Sequence, residues 1–333
     1  MTTFKEIRGT TIEVVSSDPS NPEGGQIWYN SSSGTLKGSQ YSSAWSSGAN
    51  LGAARYQGAS TGASNTAAIV FNGAPAPQGA TSALYNGSAW TSGPSLPTAK
   101  YRPGGTGVQT ACLSISGIPV TNAPTPNAGS ASFNGSAWTT ITDLSTGRAW
   151  AGGAGTQTAA LAFGGSTYFG GGIQNYQSLT ESWNGSAWTA GGAMPTVRNQ
   201  HFGAGTQTAA IAGFGGTSPN SNIVASTIVY NGTSWSAAPT GNTARASPQG
   251  GGTQTAAVVF GGYLGPPGVT GATELYNGTA WTNNPTGLAV ARSDASYGNM
   301  GSQSSSIYAG AGPANISNEL WNQGFTTKTV TVS

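Results

Sequence analysis

The sequence predicts an all-β fold of repeated four-stranded antiparallel units, and three recurrences carry that expectation. An apolar phrase returns as GTQTAALAFGG from Gly155, GTQTAAIAGFGG from Gly205 and GTQTAAVVFGG from Gly252. A second phrase, aromatic-Asn-Gly-Ser/Thr-x-Trp, ends on Trp90, Trp138, Trp188, Trp235 and Trp281, with Trp45 of YSSAWSS as an earlier relative. A third mark is a cation about ten residues after each of these tryptophans: Arg55, Lys100, Arg148, Arg198, Arg245 and Arg292. A period of roughly 45 to 50 residues is that of a supersecondary unit whose copies bury one another's apolar faces.

Each unit reads as four short extended runs. In the fourth, RNQHFGAG gives strand a, the turn TQ leads into TAAIAGF as strand b, STIVY is strand c, and NG turns the chain into TSWSAAP, strand d. Asn-Gly is the strongest short hairpin signal, because a type I′ turn needs positive φ at both central residues. The runs are punctuated by Gly and Pro, and no stretch has helical periodicity.

Four-stranded units of this length repeated about an axis make a β-propeller. The order of marks (cation, apolar strand, Gly-Gly, variable loop, Glu-x-aromatic, turn, Trp) resembles the kelch repeat over residues 49–333, as six units. Its glycine pairs are placed at Gly164–Gly165, Gly215–Gly216 and Gly261–Gly262, and its acid at Glu181, Glu274 and Glu319. The first, second and sixth units lack the glycine pair, and Ala83, Ala131 and Ile228 stand where the acid belongs. The N-terminal runs TIEVVSS, GQIWYN, TLKGSQ and SAWSS suffice for one more meander. Seven blades are therefore expected, with residues 1–24 as an attachment arm, residues 25–333 as the propeller and 25–48 as the extra blade. The alternative is six blades with the first 48 residues as the arm.

Composition narrows the function. Only 6% of residues are charged and the net charge is +2, so no basic footprint for nucleic acid or anionic membrane is present. Cys112 is the single cysteine, in a slot that holds Ala159 and Ala210 elsewhere, and reads as a buried small residue. The N-terminus has no run like a signal peptide and no segment reaches transmembrane length, so export by the classical secretory route is not expected.

Chemistry-bearing residues are few. His201 is the only histidine, which removes a Cys–His pair and leaves no cluster for a transition metal. The kelch enzyme galactose oxidase binds copper through two histidines and a Cys–Tyr crosslink, which this chain cannot supply. No catalytic residue, metal or cofactor is expected, and the chain reads as non-enzymatic. The NGS and NGT triplets follow from turn chemistry, and the tryptophans after them from packing between blades. The cation slot has two readings: guanidinium groups stitching blades together, or a shallow anion-attracting funnel at one mouth of the channel, with Arg148, Arg198 and Arg245 as candidate contacts.

Topology assigns a recognition face. In an up-down meander the b–c loops and d–a connectors emerge on one side, opposite the uniform GTQT and NGSA turns. The b–c loops vary in length and carry Tyr168, Phe169, Tyr176 and Tyr263, with amide- and hydroxyl-rich neighbours suited to a glycan or protein surface.

The stretch SSDPSNPEGGQIWYNSSSGTLKG, with the repeats GTQTAALAFGG and NGTSWS, resembles tail-fibre and other structural proteins of bacteriophages, especially those of marine bacteria. The resemblance implies a virion protein released by lysis. Its expected partners are other virion proteins and a host surface glycan or protein. A purely architectural tail or capsid decoration protein is the alternative.

Overall fold

The computed structural model describes residues 12–19, 26–75, 78–121, 125–167, 175–217, 222–266, 268–295, 297–312 and 315–330. The chain divides into a small unit, residues 1–44 and 322–333, and a large one, residues 45–321. Among the described residues the structure is all-β apart from one 3-10 turn at Gln78–Ala80, and no helix is long and apolar enough to cross a membrane.

In the small unit, Glu13–Val15 pairs parallel to Ile27–Asn30, which pairs antiparallel to the start of Thr35–Ser47. Asp18 ties these runs, accepting from Lys37 Nζ at 2.8 Å, Asn30 Nδ2 at 2.7 Å and the indole of buried Trp28 at 3.1 Å. These hydrogen bonds, Lys37's the strongest, hold the Asp18 carboxyl down at about 2.

The large unit contains five consecutive four-stranded meanders. The first sheet is Ala59–Ser64, Ala67–Phe71, Ser82–Tyr85 and Trp90–Gly93. The second is Gly104–Val108, Ala111–Ile115, Ser130–Phe133 and Trp138–Ile141. The third is Gly152–Gly155, Ala160–Phe163, Thr180–Trp183 and Trp188–Ala190. Phe202–Gly205, Ala210–Gly213, Thr227–Tyr230 and Trp235–Ala238 make the fourth, and Gln249–Gly252, Ala257–Phe260, Thr273–Tyr276 and Trp281–Asn284 the fifth. In each sheet the strands are termed a to d in chain order, and each pairs antiparallel to the next.

A further sheet pairs strands from the two ends of the chain, Thr35–Ser47 with Asn315–Thr329, and the latter with Ser305–Ala311. Of the expected extra blade, residues 26–48 supply two strands, Ile27–Asn30 and Thr35–Ser47, and residue 25 lies outside the described residues. Within the large unit, Gly48 N–H donates to Asn318 O at 2.9 Å and Leu51 N–H to Ile316 O at 2.8 Å. The Trp45 and Trp321 rings lie 5.4 Å apart. That pair matches Tyr85–Trp90, Phe133–Trp138, Trp183–Trp188, Tyr230–Trp235 and Tyr276–Trp281, whose rings lie 5.0 to 5.3 Å apart across the Asn-Gly hairpins. Trp45 and Trp321, from opposite ends of the sequence, thus stand to each other as the aromatic pairs of the five hairpins do.

Contacts between neighbouring sheets repeat six times. Among the described residues the apolar core shows six clusters, each drawing on two sheets and each holding one repeat tryptophan. Trp138 packs on Phe71 of the preceding sheet, Trp235 on Phe163, Trp281 on Phe214 and Trp45 on Phe260, with centroids 4.7 to 5.4 Å apart. Edge-on and tilted geometry of this kind is favourable for aromatic pairs.

The Gln of the a–b turn, GTQT or its variants GVQT and GSQS, is an inter-sheet clasp. Gln207 Nε2 donates to Ala160 O and Trp183 O of the preceding sheet, Gln254 to Ala210 O and Tyr230 O, and Gln303 to Ala257 O and Tyr276 O. Gln109 bonds Ala68 O and Tyr85 O, and Gln157 bonds Phe133 O. In the first sheet Asn65 takes the role and donates to Trp321 O at 2.8 Å. A second series runs along the opposite rim. Gly73, Gly117, Gly165, Gly215 and Gly262 each donate their N–H to the carbonyl of the next sheet's slot cation, at 2.7 to 3.1 Å, and Ala311 donates to Arg55 O at 3.2 Å.

The a strands of successive sheets press together. Residues 297–301 bridge in parallel to the first sheet at Ala59 and Gly62 and to the fifth at Gly250. A Cβ at Gly153 would sit 2.5 Å from Gly105 O, which explains the glycine-rich a strands: backbone abuts backbone.

Candidate functional site

The cation slot is structural. Arg148, Arg198 and Arg245 are 0 to 1% exposed, and every one of them clips the base of its own b–c loop. Arg148 Nη1 donates to Gly164 O and Leu179 O, Arg198 Nη1 to Phe214 O and Ser226 O, and Arg245 Nη1 to Gly261 O and Ala272 O. Of the two readings of the slot, the observed contacts are those of the first kind: the donors point into carbonyls inside the sheet. Burial pushes Arg198 down to about 10, so it stays charged at neutral pH.

The second guanidinium nitrogen shows what the acid slot does. Arg148, Arg245 and Arg292 donate through Nη2 to Glu181, Glu274 and Glu319. The same carboxylates accept backbone N–H groups of the d–a connector: Ser145 for Glu181, Asn242 and Thr243 for Glu274, and Ala289 for Glu319. Where Ala83 or Ile228 replaces the acid, Nη2 turns to a hydroxyl two residues earlier, Thr81 for Arg55 and Ser226 for Arg198.

The glycine marks also shift by one residue. In the fourth sheet the left-handed pair is Phe214–Gly215, with φ of 62° and 80°, not Gly215–Gly216. Asn72–Gly73 and Ser116–Gly117 adopt the same conformation, so the sheets without a glycine pair keep the geometry.

The proposed loop residues divide three ways. Tyr168 and Phe169 lie outside the described residues. Tyr176 is 6% exposed and bridges Ser166, so it packs the loop. Tyr263 is half-buried in a two-stranded ribbon, Tyr263–Gly265 with Gly268–Val269, whose neighbours Leu264 and Val269 are each 42% exposed. Trp138, Trp235 and Trp281 are buried, and Trp90 and Trp188 half-buried, in the inter-sheet clusters. His201 is buried beside Phe163, its pKa pushed down to about 3 by burial and then by the nearby Arg198 and Arg148 charges.

A set of residues that the sequence reading passed over meets on the loop side. Two positions after every slot cation stands a non-glycine residue with φ between 49° and 58°: Gln57, Arg102, Trp150, Gln200, Ser247 and Asp294. Such a conformation costs an L-residue of order 1–3 kcal/mol and persists only where its surroundings impose it. Here the imposing contact is a backbone chain. Arg102 N–H donates to Gln57 O, Trp150 N–H to Arg102 O, Ser247 N–H to Gln200 O and Gln57 N–H to Asp294 O, at 2.6 to 2.9 Å.

Six equivalent backbone positions therefore carry six side chains of mixed chemistry. The Arg102 guanidinium stacks 4.1 Å over the Trp150 ring, and its Nε donates to Gln57 Oε1 at 3.1 Å. Across from them Asp294 Oδ1 accepts from Tyr297 Oη at 2.9 Å and Ser247 Oγ at 3.0 Å. Burial and the Asp294 charge raise the Tyr297 phenol well above its usual range, so it stays a donor. One cation, one carboxylate and two amides are part-exposed here, with Ser247 and the Trp150 ring buried beneath them, and such a set can hold a polar ligand. The sequence carried no distinct signal for it, since neighbouring positions of the connector vary as widely.

Comparison with models of known protein families and with curated proteins finds no match to this chain.

Proposed function

We propose that the large unit is a closed six-bladed propeller of kelch type, and that it works as a non-enzymatic recognition module of a bacteriophage particle. Six-blade closure is supported by the two hydrogen-bond series and the six clusters, each of which returns from the last sheet to the first. On this reading Trp45–Ser47 is the outer strand of the sixth blade, so the ring is locked by chain segments far apart in sequence.

Recognition is supported above all by the contrast between positions. The turns on one rim repeat one clasp, whereas the six strained positions on the other rim carry Gln57, Arg102, Trp150, Gln200, Ser247 and Asp294. Strained non-glycine backbone at equivalent sites, bearing unlike side chains, is spent on what those side chains meet. The slot cations clip the bases of the b–c loops. The particle assignment rests on the likeness of the N-terminal stretch and repeats to phage structural proteins.

The test has two readouts. Antibody labelling of purified particles should place the chain on their surface, and the isolated protein should bind the cells on which those particles grow. Arg102→Ala should weaken cell binding at least tenfold without loss of fold. A chain on the particle with no cell binding would leave it as decoration, and a chain absent from particles would overturn the assignment.

A further inference from the structure

The acid slot obeys a rule that one sheet breaks. Glu181, Glu274 and Glu319 are present where the residue three before the slot cation can donate a backbone N–H, namely Ser145, Asn242 and Ala289. Where that residue is Pro97 or Pro195, which has no N–H, the acid is gone and Ala131 or Ile228 replaces it. Donor and acceptor are kept or lost together. In the first sheet the equivalent residue is Gly52, followed by Ala53, and both can donate; yet the acid slot holds Ala83.

The place of the missing carboxylate is open. A groove of about 370 Å³ is lined by Gly52, Ala53, Arg55, Ala83 and Trp90, with hydroxyl residues of strands c and d around them. No described residue accepts from the Gly52 or Ala53 N–H, and both residues are exposed. Arg55 Nη2 holds Thr81 Oγ1 at 2.6 Å, the hydroxyl substitute seen in the acid-free fourth sheet. Trp90 is half-buried here, as Trp188 is in the third sheet, whereas Trp138, Trp235 and Trp281 are buried.

We propose that this groove binds the carboxylate of an external ligand in place of the absent glutamate, and that the ligand is an acidic sugar of the hexuronate class. The carboxylate takes the acid's position against the Gly52 and Ala53 N–H groups and the Arg55 charge, an arrangement the protein already uses three times internally. The sugar class follows from the rest of the lining: Trp90 offers a ring face, and Thr81, Ser82, Thr91 and Ser92 offer hydroxyls. The volume suits one monosaccharide. The proposal depends on the groove alone and not on where the protein is displayed.

Isothermal titration of the full chain with glucuronate, methyl glucoside and N-acetylglutamate tests it. Saturable binding of glucuronate, with methyl glucoside and N-acetylglutamate each at least tenfold weaker, is the expected result. Ala83→Glu restores the repeat's own acid and should abolish glucuronate binding while raising the melting temperature. Arg55→Lys, the residue type of the second sheet, should weaken binding severalfold and serves if Ala83→Glu does not fold. Glucuronate binding that survives both substitutions, or no binding at millimolar ligand, would overturn the site. Equal binding of N-acetylglutamate would overturn the sugar class.

Discussion

Asn65 Nδ2 donates to the main-chain carbonyl of Trp321 at 2.8 Å, joining the first sheet to the last. The bond matches the Gln109, Gln157, Gln207, Gln254 and Gln303 clasps in geometry, although Asn is one methylene shorter. If the six sheets form a ring, this clasp is worth what the others are worth. Asn65→Ala and Gln254→Ala should each destabilise the protein by about 1–2 kcal/mol, the cost of stranding buried carbonyls. Chemical denaturation of the two variants checks it; an Asn65 variant with wild-type stability would leave the first and last sheets unjoined.

The buried Arg245–Glu274 pair should be asymmetric in its response to mutation. Glu274→Gln keeps the shape but leaves a fully buried guanidinium without its counter-charge, an effect of about 3 kcal/mol or more. Arg198 uses neutral acceptors instead of an acid, so Ser226→Ala should cost less, about 1–2 kcal/mol. Urea midpoints for the two variants give the comparison.

His201 sets a pH dependence. Its folded pKa, about 3, lies below the unfolded value near 6.5, so the unfolded chain takes up the proton first as pH falls. Its contribution is intact above pH 6.5 and is lost as pH drops toward 3. Between pH 6.5 and 5, before most carboxylates titrate, the loss is about 2 kcal/mol. His201→Ala, the residue type at Ala151 and Ala295, should flatten stability over that window, as read from melting temperatures at the two pH values.

Much of this fold was legible because its marks are local. In the five NG hairpins the tryptophan four residues after the asparagine fills a wedge between sheets. The turn itself is a four-residue loop and not type I′, with positive φ at the glycine alone and the asparagine Oδ1 accepting turn N–H groups. The role of Gln in GTQT was not legible, because its partners belong to the preceding sheet and nothing within the phrase names them. The Arg slot left two readings open for the same reason: its carbonyl acceptors lie at the base of the b–c loop, well removed from it in sequence. The fourth glycine pair was misplaced because Phe214 takes a left-handed conformation that sequence alone assigns to glycine. Gln57, Arg102, Trp150, Gln200, Ser247 and Asp294 escaped notice because they share no chemistry, only a position.

Trp45 carries the decision between six sheets and seven. On the six-sheet reading it fills the wedge against Phe260 and Trp321, at 4.7 and 5.4 Å, as Trp281 does against Phe214 and Tyr276. Trp45→Ala should then cost about 3–5 kcal/mol, as Trp281→Ala should, despite its place near the start of the chain.

An experimental density map of the protein is the most direct measurement. Six sheets about one axis, with the Trp45 strand lying outside the Asn315–Trp321 segment of the last, is what the clasps and clusters require. Seven sheets, or an arc whose first and last sheets stand apart, would refute the closure.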